Sequence, residues 1–164
     1  MIEIRDIEIE DLAPIFHLGE RLFTADRWTT LHRTWDEYVP VELFHTDRET
    51  CLVATVNGAF AGFALGNLIE KRRSAWTYGY LAWLGVEPEH ARHGLGSRMV
   101  QQLERRFIDA GARMVLVDTA ADNEVARAFF RRHGFGRDEA HVYLAKNLTN
   151  EPAYRRRHAS PRKD

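Results

Sequence analysis

Val86 to Arg98 reads V-E-P-E-H-A-R-H-G-L-G-S-R, and the fold turns on how this stretch is read. An apolar run from Leu81 leads into it, Gly94 and Gly96 sit in its loop, and Ser97 opens an amphipathic segment. Met99, Val100, Leu103, Phe107 and Ile108 recur there at helical spacing. A strand, a glycine loop and a helix start together make an anion cradle. The first turn of a helix leaves backbone N–H groups without intrahelical acceptors, and the helix dipole is positive at that end. Glycines remove Cβ and let the main chain approach an anion closely. The pattern predicts a phosphate or pyrophosphate site built from backbone.

Composition bounds the rest. A chain of 164 residues is expected to form one domain with an adequate core. Its 45% hydrophobic and 29% charged residues fit a soluble globular protein. A net charge of -1 argues against a nucleic-acid binder that uses its whole surface. Cys51 has no cysteine to pair with, which suits a cytoplasmic location, and it is expected to be a small buried apolar residue. No apolar run approaches the ~18 residues of a membrane span. The N-terminal M-I-E-I-R-D-I-E-I-E reads as an acidic strand, not a signal peptide.

Upstream of the loop, Ile2 to Ile9 alternates as a strand and Asp11 is placed to cap a helix running to about Phe23. Residues 24–46 are rich in aromatics and read as helical, with a break or kink at Pro40. Trp28, Trp35, Tyr38 and Phe44 there either line an acceptor pocket or belong to the core. Thr50–Val56 and Phe60–Leu68 flank Asn57-Gly58, a strong hairpin signal. Glu70–Ser74 is a polar turn, and Trp76–Val86 is a long strand whose Gly79 and Gly85 suggest a bulge or a close backbone approach. Downstream, the glycine-loop helix ends at Gly111 and Met114–Val117 reads as a buried strand. Asp122 is placed to cap a helix with Val125, Ala126, Phe129 and Phe130 inward, stopped by Gly134. His141–Lys146 reads as a last strand. The expected order is β-α-α-β-β-β-α-β-α-β, a mixed α/β sheet, and a basic tail at residues 149–164 lacks a core pattern and is expected to be disordered.

Two blocks carry more than fold. V-E-P-E-H-A-R-H-G-L-G and, further on, N-E-V-A-R-A-F-F-R-R-H-G-F (Asn123–Phe135) follow the hairpin region in that order. Together they resemble the two cofactor segments of the GNAT superfamily of N-acetyltransferases, and the resemblance covers roughly Ile4 to Leu148. It implies the acyl-CoA N-acyltransferase fold, a single domain over residues 1–148 whose central sheet splays between its fourth and fifth strands, with acetyl-CoA as co-substrate in the cleft. By resemblance, the backbone of Leu84, Gly85 and Val86 pairs with the pantetheine arm. The amides of Arg92, His93, Gly94, Leu95, Gly96 and Ser97 hold the pyrophosphate, with Arg98 beside them. Asn123 bonds near the pantetheine, and Phe130 packs at the thioester end. No metal is implied. His90 and His93 have metal-like spacing but lack a third ligand and read as loop groups near phosphate.

Two departures stand out. Ala91 occupies a position where the family usually has Gln or Arg, which shifts anion binding onto main-chain amides, Arg92 and Arg98. Phe130 replaces a frequent Tyr thought to protonate the leaving thiolate. For the base, two positions are candidates. Asp118 ends the fifth strand where the ribosomal-protein alanine N-acetyltransferases carry an acid; a turn or cap residue is its other reading. Tyr80 stands where histone-type members carry a glutamate. A phenol, neutral near pH 7, suits holding a water or orienting substrate, and Tyr80 also reads as a sheet aromatic on one face with Ala82, Leu84 and Val86. The implied activity is transfer of an acetyl group to a primary amine of a small molecule or protein by direct attack in a ternary complex. The alternative is a CoA-binding module without catalysis. Nucleic acid and membrane partners are not expected. Homodimers are common in the family, and the sequence fixes no interface.

Overall fold

The structure, a computed structural model, describes residues 1–24, 34–70, 76–136, 138–140, 142, 144 and 146–158. Its frame is set by the Asn57-Gly58 turn. Both residues take positive φ, 51° and 83°, which is what a two-residue hairpin needs. The turn joins β2 (Cys51–Val56) to β3 (Ala59–Glu70), and β1 (Ile2–Asp6) and β4 (Thr77–Val86) add antiparallel on either side. β5 (Ala112–Leu116) joins β4 in parallel, giving the order β1-β2-β3-β4-β5 among the described residues.

Each face of the sheet is covered, so β2 is buried on both sides. On one face lies α3 (Leu95–Asp109), whose Met99, Leu103 and Phe107 pack with Leu52, Ala54, Ala64 and Leu81. On the other lies α1 (Leu12–Leu22), whose Ile15 and Leu18 pack with Cys51, Val53, Phe63 and Leu65. Each fully buried Leu, Ile or Phe contributes about 1.5–3 kcal/mol. α2 (Tyr38–Thr46) precedes β2; α4 (Glu124–Arg132) and α5 (Pro152–His158) follow β5.

Several expectations are corrected. Asp11 does not cap α1 with its side chain. It is buried, takes a two-bond pairing from Arg5 at 2.6 and 2.9 Å, and accepts the Glu8 amide at 2.7 Å. Pro40 does not break α2, because it sits in the first turn, where no N–H is required. Asp36 starts that helix, accepting from the amides of Tyr38 and Val39. α3 begins at Leu95, two residues before Ser97, and its Ile108 is 66% exposed. β5 is not a buried strand: Met114 and Leu116 are 45% and 40% exposed. Asn123, not Asp122, caps α4, and Val125 faces outward. The expected turn at Glu70–Ser74 falls mostly outside the described residues, with Glu70 ending β3. So does part of the expected strand at His141–Lys146; the described Val142, Leu144 and Lys146 are not in a strand. In the tail, Pro152–His158 is helical without burial, led by a proline in its first turn and tied locally by Lys146 to Glu151 at 2.7 Å.

Candidate active site

The site begins with a bulge. On β3, Leu65 faces Trp83 and the next residue, Gly66, faces Leu81, so Ala82 is one residue too many on β4. The extra residue reverses the strand's phase. Leu81, Leu84 and Val86 pack with the α3 core, whereas Trp83 packs with the α1 core. Tyr80 therefore does not share a face with Leu84 and Val86, as strict alternation predicts. Gly85 falls on the α1 side too, where an added Cβ would sit 2.8 Å from the Phe63 ring.

The sheet then forks. β4 pairs with β5 only from Thr77 to Tyr80, the last rung being Tyr80 with Leu116. From Leu81 to Val86 it has β3 on one side and no β5 rung on the other. At the fork the Tyr80 hydroxyl donates to Asp118 Oδ1, joining the two strands just where they part. Asp118 lies two residues past Leu116, and the partly buried Val115 and Val117 pack toward α3. Tyr80 and Asp118 thus occupy the opposite face.

The glycine loop stands at the open end of β4. Gly94 caps α3 at φ 80°, and Arg92 also takes a positive φ of 64°. The Arg98 amide is the donor that bonds to Gly94 O, at 3.0 Å, so the amides of Leu95, Gly96 and Ser97 precede the helical ladder. Leu95 is buried and fixes the turn, while Arg92 and Arg98 are exposed cations beside it. Val86 and Phe129 flank Gly96, within 3.6–3.8 Å of where its Cβ would lie. Main-chain donors, a dipole and two guanidinium groups fit a diphosphate without a polar side chain at position 91. His93 and His90 turn toward the β1–β2 end of the sheet instead. They line a shallow cavity of about 280 Å³ with Ile2, Val56, Glu89 and Leu95. Among the described residues, no group of three metal-ligating side chains comes together.

The second block is partly structural. Asn123 Oδ1 accepts the Ala126 amide at 3.2 Å and its Nδ2 donates to Thr119 Oγ1 at 3.0 Å, which fixes the side chain as a helix cap. Phe130 is 9% exposed, with Phe129 and Phe135 edge-on at 5.1 and 5.3 Å. Sequence reasoning missed His133, whose Nε2 lies 2.9 Å from Ser97 Oγ and joins the two blocks. The only sequence hint is a Phe129–His133 pair at helical spacing, which does make a ring contact at 4.8 Å. Of the aromatics expected to be either pocket or core, Trp28 lies outside the described residues. Trp35 is core, stacked on Phe63 at 5.6 Å and donating to Phe16 O at 3.0 Å. Phe44 packs with the same cluster, and Tyr38 is 70% exposed.

The mixed sheet thus forks between a bulged strand and its parallel neighbour, with a glycine-capped helix start at the mouth of the fork. The description "Acetyltransferase (GNAT) family" matches residues 16–135, and the chain belongs to that family of acetyl-CoA-dependent N-acetyltransferases. Solved structures share the fold. The aminoglycoside N-acetyltransferase AAC(6')-Iy, in complex with a bisubstrate analogue, superposes with a TM-score of 0.70 at 18% identity, over 90% of this chain and 99% of that one. The ribosomal-protein alanine N-acetyltransferase from Escherichia coli gives 0.67 at 22% identity, over 85% and 80%. Glucosamine-6-phosphate N-acetyltransferase from Arabidopsis thaliana gives 0.66 at 18%, over 90% and 99%.

Proposed function

We propose that this protein transfers the acetyl group of acetyl-CoA to a primary amine of a small molecule or protein, by direct attack while both substrates are bound. The observation that carries the reading is the Tyr80–Asp118 hydrogen bond at the fork of the sheet. Acetyl-CoA supplies an acyl carbon activated as a thioester. Leu84, Gly85 and Val86 offer strand backbone beside the fork, and the turn from Arg92 to Arg98 offers donors for the diphosphate. Asn123 and Phe130 close that side, with Phe130 acting by packing.

Asp118 takes the amine proton, directly or through a water held with Tyr80. As the N–C bond forms, the C–S bond breaks and its electron pair leaves on sulfur. A thiolate is stable enough to depart without a dedicated acid, which agrees with a phenylalanine at position 130. Alignment at the fork contributes much of the acceleration. The three solved relatives are named for three different amines, so the fold alone does not choose the acceptor. A thiol-release assay with acetyl-CoA and a panel of small amines and peptide N-termini tests the proposal. Acetyl-CoA-dependent release with at least one amine supports it; tight CoA binding with no release across the panel contradicts it.

A further inference from the structure

Ser97 and His133 are 36 positions apart, yet Ser97 Oγ and His133 Nε2 stand 2.9 Å from each other. Ser97 is the third residue of α3, and Cα–Cβ bonds in a helix lean toward its N-terminus. Its side chain therefore leans toward the helix start, where the amides of Leu95, Gly96 and Ser97 lack helical acceptors. The imidazole is held from behind. His133 caps the C-terminus of α4, its amide bonds to Phe130 O at 2.9 Å, and its ring lies against Phe129, which flanks Gly96.

A serine hydroxyl has one proton to give. If a neutral imidazole presents a bare Nε2, Ser97 spends that proton on His133. If Nε2 carries the proton, Ser97 accepts from it and keeps its own for an acceptor at the helix start. The oxygens of an ionised diphosphate only accept, so a bound diphosphate selects the second arrangement.

We propose that His133 is a positioning residue for the CoA diphosphate: its Nε2–H holds Ser97 so that the serine hydroxyl donates to the anion at the start of α3. This rests on the reading of the Arg92–Arg98 turn as the diphosphate site. It adds a side-chain donor where Ala91 provides none, and it makes the second sequence block contribute to the first.

The test is CoA affinity by titration calorimetry in wild type, His133→Phe, Ser97→Ala and the double variant, with imidazole ¹⁵N spectra of the wild type with and without CoA. His133→Phe leaves the serine hydroxyl but removes the donor that orients it, and is expected to weaken CoA binding about three- to tenfold, the worth of one neutral hydrogen bond. In the Ser97→Ala background it is expected to add nothing. His133→Gln, whose amide can donate to Ser97, should restore most of the affinity. With CoA bound, the spectra should show the hydrogen on His133 Nε2. Unchanged affinity in His133→Phe, losses that add across the double variant, or a bare Nε2 with CoA bound would each overturn the proposal. Gly94→Trp separates the two levels. If it leaves CoA affinity intact, the diphosphate site itself is wrong; if it weakens CoA and His133→Phe does not, only the role of His133 fails.

Discussion

Tyr80 donates its hydroxyl proton to Asp118 across the last rung that joins β4 to β5. The bond links the two strands whose divergence makes the cleft. Tyr80→Phe keeps the ring and removes the donor. We expect kcat to fall roughly ten- to a hundredfold with CoA affinity within twofold, since removing a hydrogen bond to a carboxylate costs on the order of 1.5–3 kcal/mol and each ~1.4 kcal/mol is tenfold. Combined with Asp118→Asn it should cost little beyond Asp118→Asn alone, because contacting residues do not act additively. Steady-state kinetics and CoA titration read both quantities.

Gly94 takes φ 80°, and an added Cβ there would meet no heavy atom within 4 Å. Gly94→Ala is therefore strained only by its backbone, at about 1–2 kcal/mol. Gly94→Trp adds bulk at the mouth of the helix start. We expect the alanine variant to melt slightly lower and bind CoA nearly normally, and the tryptophan variant to lose CoA affinity by more than tenfold, the equivalent of ~1.4 kcal/mol. Thermal melts beside CoA titrations separate the two.

Phe130 is held by Phe129 and Phe135 and belongs to the α3-side core. Phe130→Ala should lower stability by about 3–5 kcal/mol, as for a large aromatic removed from a core. Chemical denaturation measures this, and a loss below about 1 kcal/mol would assign Phe130 to the cleft instead of the core.

Much of the scaffold is legible from local signals. Asn57-Gly58 predicts the hairpin, and the glycine loop followed by spaced apolar residues predicts α3 and the inward Met99, Val100, Leu103 and Phe107, though not its first turn or the exposed Ile108. What escapes is set at long range. The extra residue at Ala82 follows from how β3 pairs with β4, and nothing in T-Y-G-Y-L-A-W-L-G-V marks it. An alternation read straight through it puts Tyr80 on the wrong face. Asp11 looks like a helix cap, but the Arg5 guanidinium captures its carboxylate. The Ser97–His133 contact joins two motifs that sequence reasoning takes one at a time. Asp118 and Tyr80, by contrast, are both legible as positions, while the bond between them becomes visible only with the strand register.

Cys51 is fully buried, and burial pushes its thiol up to about 12. An unfolded thiol ionises near ~8.5. The folded state therefore holds its proton where the unfolded state releases it. This contribution to stability is complete below the unfolded value and declines as pH rises from there toward the folded one. Between pH ~8 and ~10 the wild type should lose more stability than Cys51→Ala. Urea unfolding at the two pH values compares the slopes, and parallel slopes would contradict the assignment.

The most direct measurement is single-turnover acetyl transfer by wild type and Asp118→Asn, with an amine found in the acceptor panel and CoA affinity measured alongside. The asparagine variant keeps the shape and the acceptor for Tyr80 but cannot take a proton. A fall of about 100-fold in the transfer rate, in the range of lost base catalysis, with CoA affinity unchanged is the predicted result. Transfer at the wild-type rate by Asp118→Asn would contradict the fork of β4 and β5 as the place where the amine is deprotonated.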